Sequence, residues 1–142
     1  MIKDKDYIQA SSIDFIEYFK HNKPNDKEEK MLLLNYFSPK HTITSEVLAT
    51  AMGWPNFNSA NLKYGTFAGK AAKEMAFTPP IEGFAVSFFT EFNMPESGQD
   101  EGHWQWILRP ELVEAIHALN WDTEAVKNRM EGELSFADTM LL

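Results

Sequence analysis

The spacing of apolar residues along the chain predicts two consecutive helices in its middle. Apolar side chains recur every three or four positions from residue 44 to 53 and again from 59 to 77, as on the buried face of an amphipathic helix. Thr44 is placed to cap the first helix, and Gly53 to end it in the left-handed conformation. Two helices joined by a turn this short are typical of a helix-turn-helix unit. The chain is therefore expected to reverse direction around Pro55.

Two more helices are predicted before this unit. The first spans about residues 13–21, and the residues expected on its buried face are Ile13, Ile16 and Phe19. Asn25 and Glu28 have the spacing of a capping box, in which each side chain bonds the backbone N–H of the other. They would open a second helix that ends before Pro39.

Two strands and two helices are predicted after the unit. Residues 84–92 and 103–108 are rich in aromatic residues and alternate in character, which favours strands. A polar, acidic segment separates them, as in a long hairpin connection or wing tip. Pro110 is well placed as the first residue of a helix. A last helix is expected from 123 to 130, ending near Gly132, with the final residues either docked through Phe136 and Leu141 or loose.

These elements predict one α+β domain, mainly helical and winged-helix-like, over residues 1–142. Residues 1–41 form an N-terminal helical support, and residues 42–121 form the core, in which a helix-turn-helix precedes a two-stranded β-hairpin. Residues 122–142 form a C-terminal helix and tail.

Composition adds limits on function. The chain has 142 residues, 44% of them hydrophobic, and no cysteine, so disulfides and thiolate metal sites are excluded. No apolar run is long enough for a membrane span, and the first residues do not resemble a secretory signal. We therefore expect a cytoplasmic protein without a membrane partner.

Charge is distributed unevenly. The net charge is −8, and residues 82–102 carry five acids and no lysine or arginine. From residue 110 onward seven acids accompany two bases, whereas residues 58–81 have an excess of +2. Phosphate backbones are bound mainly by cations. The second helix of the central unit is thus the one basic region.

That helix carries the candidate nucleic-acid-binding residues, which are Asn61, Lys63, Thr66, Lys70 and Lys73. At 100° per residue the last four share an arc opposite the apolar face, where they suit phosphate contacts. Asparagine near the start of a recognition helix can bond adenine bidentately. A solvated surface explains the lysines equally well, and Asn56 and Asn58 are explained by shaping the turn and capping the helix.

Gly65 and Gly69 lie inside the same helix, where each costs about 1 kcal/mol relative to alanine. Their presence indicates close approach of a partner backbone. Another helix of this chain is the favoured partner, and a second copy of the chain, giving a homodimer, is the alternative.

No residue set resembles a catalytic centre, a cofactor site or a metal site. The four histidines lack metal-ligand spacing, and nothing indicates the apolar pocket that shifts the pKa of a catalytic carboxylate. Nucleophile elbows and phosphate-binding loops are also absent. The sequence therefore predicts a protein that is not an enzyme and needs no cofactor.

Residues 42–121 resemble a small helical module of bacterial and phage proteins, often found beside HNH-type endonuclease domains of restriction-like systems. The likeness rests on a short helix ending in Gly-aromatic, an asparagine-rich turn, and an Asn-x-x-Tyr-Gly segment, here Asn61, Tyr64 and Gly65. It continues in the Arg-Pro-Glu-Leu helix start at residues 109–112. The chain lacks the His-Asn-His signature. The resemblance implies DNA-associated recognition or a role in defence, without cleavage.

Two functions are therefore expected as alternatives. The first is a non-enzymatic recognition module that acts on DNA in a restriction, defence or phage context. The second is an acidic protein-binding factor, such as a phage-encoded inhibitor of a nuclease or defence complex. Its partner would contact the acidic wing and the C-terminal half.

Overall fold

The structure is a computed structural model that describes residues 9–93 and 105–142. Within these residues the α-helices are α1 (Ser12–His21), α2 (Asp26–Phe37), α3 (Ser45–Met52), α4 (Phe57–Met75), α5 (Pro110–Ala118) and α6 (Glu124–Met140). The strands are β1 (Thr42–Thr44), β2 (Thr90–Asn93) and β3 (Gln105–Leu108), and 3-10 helices span Pro39–His41 and Ala85–Phe88. The protein is mainly helical with a small sheet, so the α+β prediction is confirmed.

The three strands form one antiparallel sheet in the order β1-β3-β2. Trp106 of β3 pairs with Ile43 on one side and with Phe92 on the other. The predicted two-stranded hairpin therefore has a third strand, which lies between α2 and α3 in the chain. A strand of three residues is too short to show an alternating pattern. The acidic segment predicted between β2 and β3 lies outside the described residues.

Several helix ends follow the predicted caps. Asn25 and Glu28 form the capping box at the start of α2. The Thr44 side chain accepts a hydrogen bond from the Val47 N–H, and Gly53 ends α3 with φ of 79°. Because side chains strain a backbone with positive φ, glycine suits this position.

Three local predictions were wrong. Residues 84–92 are not one strand, because a 3-10 helix precedes β2 and buries both Phe88 and Phe89. Helix α6 continues through Gly132 to Met140, and its buried contacts there are Leu134 and Ala137; Phe136 is exposed. In α1 the buried residues are Phe15 and Phe19. Ile13 is 68% exposed.

The core draws buried residues from all six helices and from the sheet. Phe89, just before β2, lies near its centre with no exposed surface. Its ring centroid is 5.0 to 6.5 Å from those of the aromatic residues Phe15, Phe19, Tyr64 and Phe67. Aromatic packing therefore joins α1 and α4 to the sheet. No helix in the described ranges is both long and apolar enough to cross a membrane.

A buried asparagine connects α4 to the rest of the core. The Asn35 side chain donates to the carbonyl oxygens of His41 at 2.9 Å and Trp106 at 3.2 Å. Its Oδ1 accepts a hydrogen bond from the Tyr64 hydroxyl at 2.8 Å. Since buried polar groups need partners, this network fixes α4 relative to α2 and β3. Burial also raises the pKa of Tyr64, which keeps its hydroxyl available as a donor.

Candidate nucleic-acid interface

Helix α4 begins at Phe57 because Asn56 caps it. The Asn56 Oδ1 accepts hydrogen bonds from the backbone N–H groups of Asn58 at 2.9 Å and Ser59 at 3.3 Å. The prediction that Asn58 caps the helix was therefore wrong. Its side chain lies in the first turn and is exposed, so the cap does not use its amide.

The inner face of α4 is close to the predicted one, except that Met75, which the helical period places on it, is only half-buried, and Ala72, expected at its edge, is buried. Its buried members are Ala60, Tyr64, Phe67, Ala68, Ala71 and Ala72. With this face buried, the helix turns its predicted contact residues outward, and all five are exposed: Asn61, Lys63, Thr66, Lys70 and Lys73. The structure thus exposes all five, but at about 100° per residue Asn61 lies on a different side of the helix from the three lysines.

The three lysines differ in the contacts that their Nζ atoms make. Lys70 Nζ lies 2.7 Å from Glu28 Oε2 and 5.9 Å from the centroid of the Phe67 ring, so its charge is already partnered. Lys63 Nζ lies 5.5 Å from the ring centroid of Trp54, a weak cation–π contact at an exposed site. Lys73 forms no ion pair with any described residue.

The amide of Asn61 likewise has no hydrogen-bond partner among residues 9–93 and 105–142, and the same is true of the Asn58 side chain. The Thr66 hydroxyl instead donates to the Leu62 carbonyl oxygen at 2.8 Å. This bond within the helix uses the hydroxyl hydrogen. The first half of α4 therefore offers two free amides.

The two glycines of α4 have different surroundings. A Cβ atom at Gly69 would lie 3.2 Å from the Cβ of Ala85, whereas one at Gly65 would have no neighbour within 4 Å. Close approach at Gly69 is therefore explained by the 3-10 helix of the same chain. No described residue explains Gly65, which faces open space.

Gly65 lies in an open groove of about 580 Å³ between α4 and the sheet. From α4 the groove is lined by Asn58, Asn61, Leu62, Gly65 and Thr66, and opposite them by Gly83, Phe84, Ala85, Val86, Phe92 and Trp106. Leu62 is 70% exposed and Phe84 is 50% exposed. Apolar surface is thus presented beside the free amides, and the lysines lie on the outer flank.

Leu62 and Phe84 were not predicted as site residues. The available signal was that Leu62 falls outside the apolar arc of α4, so a large aliphatic side chain there must be exposed. Phe84 gave no such signal, because the alternating pattern of residues 84–92 predicts a strand there.

Outside α4, the Asp122 carboxylate also has two side-chain partners. It accepts hydrogen bonds from the Tyr36 hydroxyl at 2.7 Å and from His117 Nδ1 at 2.8 Å. Partial burial opposes ionisation, but the bonds from His117 and Tyr36 hold the pKa of Asp122 below its ordinary value. Burial and the same carboxylate raise the pKa of Tyr36 to about 12. These contacts join α2 to the α5–α6 connection, which explains Asp122 as a residue that stabilises the fold.

Among the described residues, no group of three histidine, aspartate or glutamate side chains could hold a metal ion. Comparisons of the chain with protein-family models, with curated proteins and with solved structures find no match.

Proposed function

We propose that the protein is a non-enzymatic recognition module that binds duplex DNA through the exposed surface of α4. The single observation that carries the proposal is that this surface combines unpartnered amides with lysines. Asn58 and Asn61 lie toward the first half of the helix, and Lys63 and Lys73 lie on its outer flank. This is the division of labour expected of a recognition helix, in which base edges are read by amides and phosphates are bound by cations.

The order of elements supports the same proposal. A strand between α2 and α3 pairs with β3, and the β2–β3 pair follows α4. We interpret this order as that of a winged helix, in which α4 would occupy the position of the recognition helix. Fold likeness alone does not establish a function, so the contact residues must be tested directly.

Charge supports a weak, salt-sensitive interaction. Helix α4 holds three lysines and one glutamate, +2, whereas the other residues together carry −10. Since Lys70 is partnered by Glu28, two lysines on α4 remain for phosphate contacts. We expect binding at low salt that weakens as salt rises, with a shallow slope on a log–log plot.

The test is titration of a fluorescently labelled duplex at low and high salt with charge-reversal variants. Lys73→Glu removes an unpartnered cation and is expected to weaken binding by about tenfold at low salt. Lys127→Glu is the matched control, because Lys127 is exposed on α6 and has no ion pair with a described residue. Lys70→Glu is a poor choice, since it would place a carboxylate beside Glu28. Absence of binding at low salt, or equal loss in both variants, rejects the proposal.

A second candidate function, the acidic protein-binding factor, is favoured by a specific feature of α6. It exposes Phe136 and Met140, 59% and 61% accessible and one turn apart, and the acids Glu131 and Asp138 are exposed on the other flank of the same helix. A helix that exposes both apolar and acidic side chains fits a partner with a basic, apolar surface. The test is capture of proteins from host lysate. Recovery of a basic nucleic-acid enzyme by wild type, but not by the double variant Glu131→Lys and Asp138→Lys, would favour this function. Equal capture by both proteins would count against it.

A further inference from the structure

Leu62 is the feature of the proposed interface that phosphate and amide contacts do not explain. It is a large aliphatic residue, 70% exposed, on the outward side of a helix whose other exposed residues are mostly polar. Its neighbours one turn away are Asn58 and Thr66, and all three line the groove between α4 and the sheet. A ligand that covers this surface must offer an apolar group at Leu62 and hydrogen-bonding groups beside it.

Gly65 shows that such a ligand can approach the backbone. Its missing Cβ leaves open space, although glycine within a helix lowers stability by about 1 kcal/mol relative to alanine. Gly69, one turn later, is explained by its contact with Ala85. Of the two glycines of α4, Gly65 is therefore the one that the described residues leave open to a close contact from outside.

We propose that Leu62 is a specificity-determining residue that contacts the 5-methyl group of thymine, so that the module prefers A·T base pairs. This inference rests on the proposed binding of duplex DNA. Along its major-groove edge an A·T pair presents the adenine N7 and N6 atoms and, beyond the thymine O4, the thymine methyl group. Asparagine is suited to the two adenine atoms and an aliphatic side chain to the methyl group. Asn61 and Leu62 are consecutive residues that both line the groove, and they supply these two kinds of group.

Charge complementarity points to the same occupant. Lys63 and Lys73 lie on the outer flank of α4, beyond the groove-lining residues, where a DNA strand would place its phosphates. An apolar protein segment is the competing occupant of the groove. Such a segment could bond the amides through its backbone, but it has no need of the lysines.

The test uses the thymine methyl group itself as the probe. Duplexes enriched on the wild-type protein from a library with a random 20-base-pair centre would be resynthesised with uracil in place of thymine. Wild type is expected to bind the thymine duplex about fourfold more tightly for each contacted methyl. Leu62→Ala should reduce the thymine-to-uracil ratio to about one, and Leu62→Met should restore it.

Ile13→Ala is the matched control, because Ile13 on α1 is an aliphatic residue of nearly equal exposure, 68%. This variant should keep the wild-type ratio. Enrichment of G·C-rich duplexes, or equal binding of thymine and uracil duplexes by wild type, overturns the inference while leaving DNA binding intact. Failure of the library to bind at low salt rejects the proposed function itself. If Leu62→Ala keeps the wild-type thymine-to-uracil ratio but no longer captures a protein that wild type captures, the groove is assigned to a protein segment.

Discussion

Replacing Asn35 by aspartate tests how α4 is held in place. The substitution keeps the shape of the side chain but replaces its NH₂ group by an oxygen atom. That oxygen would face the carbonyl oxygens of His41 and Trp106, now 2.9 and 3.2 Å from the amide nitrogen. The side chain has no exposed surface, so water cannot supply the lost donors.

The expected loss of stability follows from these contacts. Two hydrogen bonds are lost, at about 1 kcal/mol each, and burying a carboxylate adds a penalty of several kcal/mol. We expect Asn35→Asp to lower the free energy of unfolding by at least about 3 kcal/mol at pH 7, out of the roughly 5–15 kcal/mol typical of a domain. Tyr64→Phe, which removes only the third bond of the network, should lower it by about 1 kcal/mol.

The loss should also depend on pH. Burial disfavours the charged carboxylate, so the pKa of the introduced group lies above its unfolded value of about 3.9. A raised folded-state pKa means that stability is present at low pH and is lost as pH rises. The difference in the free energy of unfolding between Asn35→Asp and wild type should therefore shrink as the pH falls from 7 to 4, because the protonated carboxyl group can donate to one of the two carbonyl oxygens.

Urea unfolding followed by far-ultraviolet circular dichroism at several pH values measures this difference. Wild type at each pH corrects for the titration of other groups, and Tyr64→Phe serves as the variant without an added charge. A loss below about 1 kcal/mol that is constant with pH would show that Asn35 is not a buried donor. The proposed placement of α4 against the sheet would then be wrong.

Three further predictions concern the helix and its surroundings. Gly65→Ala should raise the free energy of unfolding by up to about 1 kcal/mol, yet it should weaken DNA binding because its methyl group enters the groove. Gly69→Ala should gain less stability, since its Cβ would lie 3.2 Å from that of Ala85. Equal stabilisation in urea unfolding would contradict this contrast. Asn61→Ala should abolish the preference for adenine over 7-deazaadenine in bound duplexes, and a preference that survives would rule out contact with N7. The free energy of unfolding should fall from about pH 10 to 12, because the pKa of Tyr36 is raised to about 12 in the folded protein. Tyr36→Phe should lose less stability across that window. An identical pH profile for the two proteins would refute the raised pKa of Tyr36.

The fold could be predicted where local periodicity determines the structure. The buried face of α4 repeats over five turns, so its orientation follows from the sequence alone, and its lysines are exposed as expected. The caps Thr44 and Gly53 are equally local. By contrast β1 has three residues and becomes a strand only because β3 lies beside it.

The candidate site was less predictable, because its geometry depends on distant parts of the chain. The ion pair of Lys70 joins residues 42 positions apart in sequence, so the spacing of lysines on α4 could not reveal that one of them is partnered. The groove exists because Trp106 of the sheet and Phe84, just before the 3-10 helix, lie opposite α4. Only the exposed position of Leu62 was open to inference from the helical period.

The most direct test of the central claim is to map the DNA contact by nuclear magnetic resonance. Titrating ¹⁵N-labelled protein with a short duplex at low salt reports amide shift changes residue by residue. The largest changes are expected from Phe57 to Lys73 and in the groove-lining residues 83–86, with α6 unaffected. Shift changes confined to α6, or none at all, would contradict a nucleic-acid surface on α4.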